Sequence, residues 1–138
     1  MSLPTQPDKR YLTQAKHNDD LLGEDCFPDP RSGKPSKYQD WIGTVAFYTA
    51  LHYVQAYLCV NRWRTAFVNH RERNDYLKKV VSVKDRNIGK ILPKYLGLYK
   101  FSRRVRYSPC SYHYIRLNDL CSHYKFALED LPKILNLP

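Results

Sequence analysis

Five histidines, an arginine-rich second half and four cysteines are the residues in this chain whose types could do chemistry. Histidine suits acid or base work because its pKa lies near neutrality. Arginine suits phosphate because its planar fork of donors matches the oxygens. The histidines are His17, His52, His70, His113 and His123, and the densest arginine cluster is Arg103, Arg104 and Arg106. A second run, HRERND at 70–75, places His70 beside Arg71 and Arg73. Its alternating signs also suit a solvated helix start. Metal-free RNA cleavage needs no more than such parts. A base takes the ribose 2′-hydroxyl proton, an acid protonates the departing oxygen, and a cation steadies the crowded phosphate. The set Cys110, His113, Cys121 and His123 is the one combination to test for a metal. On a single helix, Cys110 and Cys121 would lie about 16 Å apart along the axis, at 1.5 Å per residue. They could not share a zinc whose ligands sit at about 2 Å, so no metal and no cofactor is expected.

The partner follows from how charge is distributed. Residues 1–60 carry 6 Lys/Arg against 7 Asp/Glu, whereas residues 61–138 carry 17 against 6. The net charge of +10 therefore belongs to the second half and favours an anionic partner such as RNA, DNA or an acidic protein. Twelve tyrosines offer stacking faces for bases and equally suit half-buried helix surfaces. The cysteines form no CxxC pair, and the N-terminus is polar and proline-punctuated, unlike a signal peptide. Free thiols and a cytoplasmic location are the expectation. At 138 residues the chain reads as one domain, with tails at 1–7 and 132–138.

The elements that must position these residues are helical. Asp40–Cys59 is the longest apolar run, with Phe47, Leu51, Val54 and Leu58 on one face and aromatic or small residues filling the other directions. A helix apolar nearly all round is buried among others. Its tyrosines, His52 and Gln55 make it a poor membrane span. Ser36 and Gln39 have capping-box spacing for its start. Tyr48, His52 and Gln55 form a polar stripe that needs partners; His52 reads as a satisfied core group or, with Tyr48, as facing a ligand or a second subunit. Around this helix the pattern predicts an N-terminal helix from Thr5–Asp8 to Gly23 and a loop over 24–35. Asn69 and Glu72 open a helix over about 70–82 with Leu77, Val80 and Val81 inward, followed by a loop at Lys84–Lys90. Pro93 opens a helix over about 92–107, lined inside by Tyr95, Leu98, Ser102 and Val105. A last helix covers about 109–130 and ends at Pro132. No strand alternation occurs. The expected architecture is all-α, an up-and-down four-helix bundle with an additional N-terminal helix.

The run DWIGTVAFYTALHYVQAYL, the NHRERNDYL that follows a short connection, and SRRVRY closing a helix resemble the HEPN superfamily, and more narrowly its small stand-alone members. The likeness covers about residues 10–130. It implies a four-helix bundle that dimerises. Many such proteins are metal-independent endoribonucleases of toxin–antitoxin or defence systems; others bind nucleotides or serve as non-catalytic modules. The catalytic kind carry an Arg, four to six intervening residues and a His, with a polar residue after the Arg. Three pairs here have that spacing: Arg64 with His70, Arg106 with His113, and Arg116 with His123. Arg106 and His113 suit the family's location best, although Tyr107 follows the Arg and Ser108-Pro109 interrupts the motif.

The resemblance thus implies His113 as acid–base and Arg106 as phosphate holder, with Arg103 and Arg104 extending the surface. His70, Arg71, Arg73 and Tyr107 are further RNA- or phosphate-binding candidates. The plain alternative is that the arginines complement the negative end of a helix dipole and His113 packs in a helical first turn. As partners, the reading expects RNA, a second copy of the chain, and an antitoxin or other protein. Its rival is a non-catalytic helical adaptor that binds RNA, a nucleotide or a protein without cutting.

Overall fold

The computed structural model describes residues 6–22, 28–34, 36, 38–107 and 115–137. They form five helices and, among the described residues, no strand. Helix α1 is Gln6–Leu21 and α2 is Gln39–Val60, with a short 3-10 turn at Pro30–Ser32 between them. Helix α3 begins as His70–Tyr76, widens into a π turn at Leu77–Val81 and ends as Ser82–Lys84. Helix α4 is Arg86–Tyr107. Helix α5 runs through Leu117–Lys125, a π turn at Phe126–Asp130 and Leu131–Ile134. Among the described residues no helix is long and apolar enough to cross a membrane.

The apolar helix α2 lies at the centre, as its all-round hydrophobicity requires. It packs against α1, α4 and α5. Phe47, Val54 and Leu58 are fully buried among Leu77 and Val81 of α3, Ile88, Tyr95 and Leu98 of α4, and Leu120 and Leu131 of α5. Gly43 lets α4 approach closely: a Cβ there would stand 2.7 Å from Cε1 of Phe101. The same ring stacks on His123 of α5 at 4.5 Å. One aromatic side chain thereby fixes α4 against both α2 and α5.

Several boundaries differ from the sequence reading, each for a local reason. Helix α2 starts at Gln39 without a side-chain cap; the Ser36 hydroxyl instead accepts from the Tyr38 N–H at 3.0 Å. Val80 faces outward, because the π turn shifts the phase of the α3 stripe. The expected loop at 84–90 shrinks to Asp85. Its carboxylate accepts from the Ile88 N–H at 3.0 Å and so caps α4. Pro93 consequently sits inside α4 rather than at its start. Pro132, read as a stop, lies inside α5 directly after its π turn, and the chain stays helical to Ile134. Leu135 is buried, so the expected C-terminal tail joins the core. Helix α5 starts at Leu117, later than expected, because Arg116 before it is extended (φ -75°, ψ 130°); the predicted stretch 109–114 lies outside the described residues.

A cleft between two basic helix ends

On α4, Tyr99, Arg103 and Arg106 recur at steps of four and three, so they share one face near the end of the helix. Tyr107 continues it. This face meets the start of α3, which Asn69 anchors by accepting the Glu72 N–H at 2.8 Å. Between them lies a cleft of about 400 Å³ lined by Asn69, His70 and Arg71 on one side and Tyr99, Arg103, Arg106 and Tyr107 on the other. Three guanidinium groups and an imidazole face one cavity, and none of its lining residues is acidic. The nearest acid in sequence, Glu72, is bound elsewhere: it pairs with Arg64 and accepts the Val68 N–H at 2.8 Å.

His70 is half-buried within an aromatic frame. Its ring centre lies 5.5 Å from Phe47, 6.1 Å from Tyr48 and 5.6 Å from Tyr99. Arg73 Nη1 lies 2.9 Å from His70 Nδ1. A guanidinium can only donate, so Nδ1 accepts and the proton of the neutral ring resides on Nε2. Burial lowers the pKa of His70, and the charges of Arg73, Arg106 and Arg103 lower it further. The ring is therefore neutral at pH 7, a hydrogen-bond donor and not a cation.

The arginines are held by phenols. Arg106 Nη1 donates to the Tyr48 hydroxyl at 2.7 Å, and its guanidinium lies 5.0 Å over the Tyr107 ring. Arg103 Nη1 donates to the Tyr99 hydroxyl at 3.3 Å. Arg73 stands behind the cleft, only 8% exposed, with its guanidinium 5.4 Å over Phe67. Below it Tyr95 is fully buried, and burial drives its phenol pKa far above the ordinary value. The Nε atoms of Arg73 and Arg106 and the Tyr95 hydroxyl are buried without a partner among the described residues. The ion pairs found among those residues involve Arg31 and Arg64, not the cleft arginines.

Of the candidates from sequence, the cleft thus brings together His70, Arg71, Arg103, Arg106 and Tyr107, with Arg73 and Tyr48 supporting it from behind. Arg104 points elsewhere, 5.5 Å over Phe101. His52 stacks on Tyr11 at 6.4 Å, its Nδ1 buried without a partner, and burial first, then Arg73, lowers its pKa. His113 lies outside the described residues. The Arg64–His70 spacing does not yield a pair in the cleft, because Arg64 is committed to Glu72. His123 belongs to a separate cavity of about 290 Å³ that also includes Lys94 and Asp130. Among the described residues no group of three His, Cys, Asp or Glu side chains could hold a metal ion. Asn69 and Tyr99 are the lining residues that the sequence reading did not assign to a site. The spacing of Tyr99 to Arg103 and Arg106 carried a signal; Asn69 offered only its capping role. Comparison with family models, curated proteins and solved structures finds no match to this chain.

Proposed function

We propose that this chain is an HEPN-like RNA-binding protein that holds a phosphodiester in the α3–α4 cleft, on Arg103, Arg106 and the His70 ring N–H. The observation that supports this is the lining itself: three arginines and a histidine around one cavity without an acid among them. Guanidinium forks match phosphate oxygens, and phosphate recurs at every residue of RNA. On this reading the fold is a four-helix up-and-down bundle with one additional helix, and the working unit is a homodimer.

Metal-independent cleavage, of the toxin or defence type, is the second reading, and the placement of Arg106 favours it. The arginine whose spacing suits the family motif is also the one lodged in the cleft against a phenol rather than a carboxylate. His70 is ill-suited as the base. Its Nδ1 is engaged and its Nε2 already carries a proton. It can orient a phosphate but cannot accept the 2′-hydroxyl proton without first breaking its bond to Arg73. Acid–base work in this reading therefore falls to His113.

One experiment separates the two. Labelled RNA is mixed with the purified protein in EDTA, binding is followed by anisotropy, and product ends are analysed. Binding together with 2′,3′-cyclic phosphate ends, the ends lost in His113→Ala while binding persists, supports the nuclease. Binding without products supports the adaptor. Absence of binding at low salt overturns both.

A further inference from the structure

Arg73 is a buried guanidinium without a carboxylate beside it among the described residues. Isolated buried charge is costly, so a position like this calls for a reason. One of its nitrogens donates to His70 Nδ1 at 2.9 Å, and His70 lines the cleft. Its flat face rests 5.4 Å from the Phe67 ring centre, which limits how it can swing. We infer that Arg73 is a positioning residue that holds His70 as a neutral Nε2–H donor, so that the cleft grips phosphate equally at mildly acidic and neutral pH. This rests on the phosphate-binding reading above.

The groups that face or adjoin the ring are consistent with it. Helix α2 presents Tyr48, α3 presents Arg71 and Arg73, and α4 presents Tyr99, Arg103 and Arg106. None is an acid that would stabilise an imidazolium. Arg73 offers only donors, so a second proton on Nδ1 would face an N–H head-on as well as a like charge. A bound phosphate acts oppositely and draws a proton onto an unrestrained histidine. Without Arg73 its bond and its charge are gone, burial and the charges of Arg106 and Arg103 alone oppose the proton, and affinity would follow pH. With Arg73 in place the ring offers the same N–H throughout, and a phosphodiester does not titrate in this range. What His70 contributes is then constant.

The test has two arms. Ring-nitrogen NMR of the wild-type protein, with its histidine resonances assigned, reports the tautomer and titration of His70 directly. The expected result is the Nε2–H form, with protonation below that of a free imidazole. An Nδ1–H tautomer, or titration at the ordinary value, overturns the inference. The second arm measures affinity for a labelled RNA oligonucleotide from about pH 7.5 to 5.5, bracketing the ordinary histidine pKa. Wild type should stay within about twofold. Arg73→Gln, which keeps an N–H donor but removes the charge, should tighten by about fivefold on acidification, because a charge-assisted bond is roughly twice as strong as a neutral one. An unchanged pH profile in that variant overturns the inference while leaving the phosphate reading intact. Failure of wild type to bind RNA at any pH sinks the phosphate reading and this inference with it. Should Arg73→Gln fail to fold, the NMR arm decides alone.

Discussion

Arg104 and Arg106 provide an internal comparison for the cleft. They sit two residues apart at the end of α4, about 200° round the helix. Charge, residue type and distance from the chain ends are matched; the face differs. Arg106 lines the cleft and bonds Tyr48, whereas Arg104 lies over Phe101 on another side. If phosphate sits in the cleft, Arg106→Gln removes hydrogen bonds to a charged group, worth about 1.5–3 kcal/mol. That corresponds to a loss of roughly 10- to 150-fold in affinity. The slope of log affinity against log salt should also become shallower by about 0.7 for a single strand. Arg104→Gln loses only an exposed cation–π contact and should change affinity by less than about twofold. The assay is anisotropy of a labelled RNA in EDTA between about 50 and 200 mM salt, where phosphate contacts show most strongly. Folding is checked in parallel, since the bond from Arg106 to Tyr48 contributes about 1 kcal/mol to stability. Equal losses in both variants would mean that a diffuse positive field binds RNA and the cleft is incidental. No loss in Arg106→Gln would remove phosphate from the cleft altogether.

Three further outcomes test the frame that carries the cleft. Gly43→Ala should destabilise: its Cβ would meet the Phe101 ring at 2.7 Å, and overpacking costs about 1–3 kcal/mol against roughly 1 gained from helix propensity. Because His123 stacks on Phe101, the ring has little room to retreat, and chemical denaturation should show a net loss. Asp85→Ala should cost about 1–3 kcal/mol in the same assay, since it removes both the α4 cap and the acceptor for the Tyr57 hydroxyl, which lies 2.8 Å away. Stability should also fall on mild acidification. His52, His70 and His123 all have pKa values lowered first by burial, so below about pH 6.5 the unfolded chain takes up protons that the fold resists. The sign is therefore full stability above that pH and progressive loss as pH falls through the depressed folded-state values. Thermal melts at pH 7.5 and 5.5 check it, and an unshifted melting temperature would contradict the burial of these rings.

What the sequence made legible was local. The centrality of α2 followed from apolar residues on every side, and Asn69 with Glu72 marked the start of α3 through a cap that needs only four consecutive residues. The inward line Tyr95–Leu98–Ser102–Val105 followed from helical period alone. The errors lie where a distant partner decides. Asp85 stood in a polar, glycine-containing run that reads as a loop. Its carboxylate instead bonds Tyr57, twenty-eight positions away, and caps the next helix, so the chain turns at one residue. The π turns of α3 and α5 left no mark in the apolar period before the structure shifted Val80 outward.

The cleft belongs to the second kind. Its arginines were visible as a cluster, but clustering does not say which of them converge. Arg103 and Arg106 share a face with Tyr99 while Arg104 leaves it, and that division follows from helical phase. His70 enters only because Phe47, Tyr48 and Tyr99, from two other helices, frame its ring. The absence of acid from the lining is likewise a tertiary outcome. Glu72 is two residues from His70 and could have neutralised the site. It is drawn instead to the Val68 N–H and to Arg64, the bond to that N–H being the first cause of its lowered pKa and Arg64 the next. Arg64, which failed to make a pair with His70, thus has a different part: by engaging Glu72 on the far side of the turn, it helps leave the cleft to cations and one neutral imidazole.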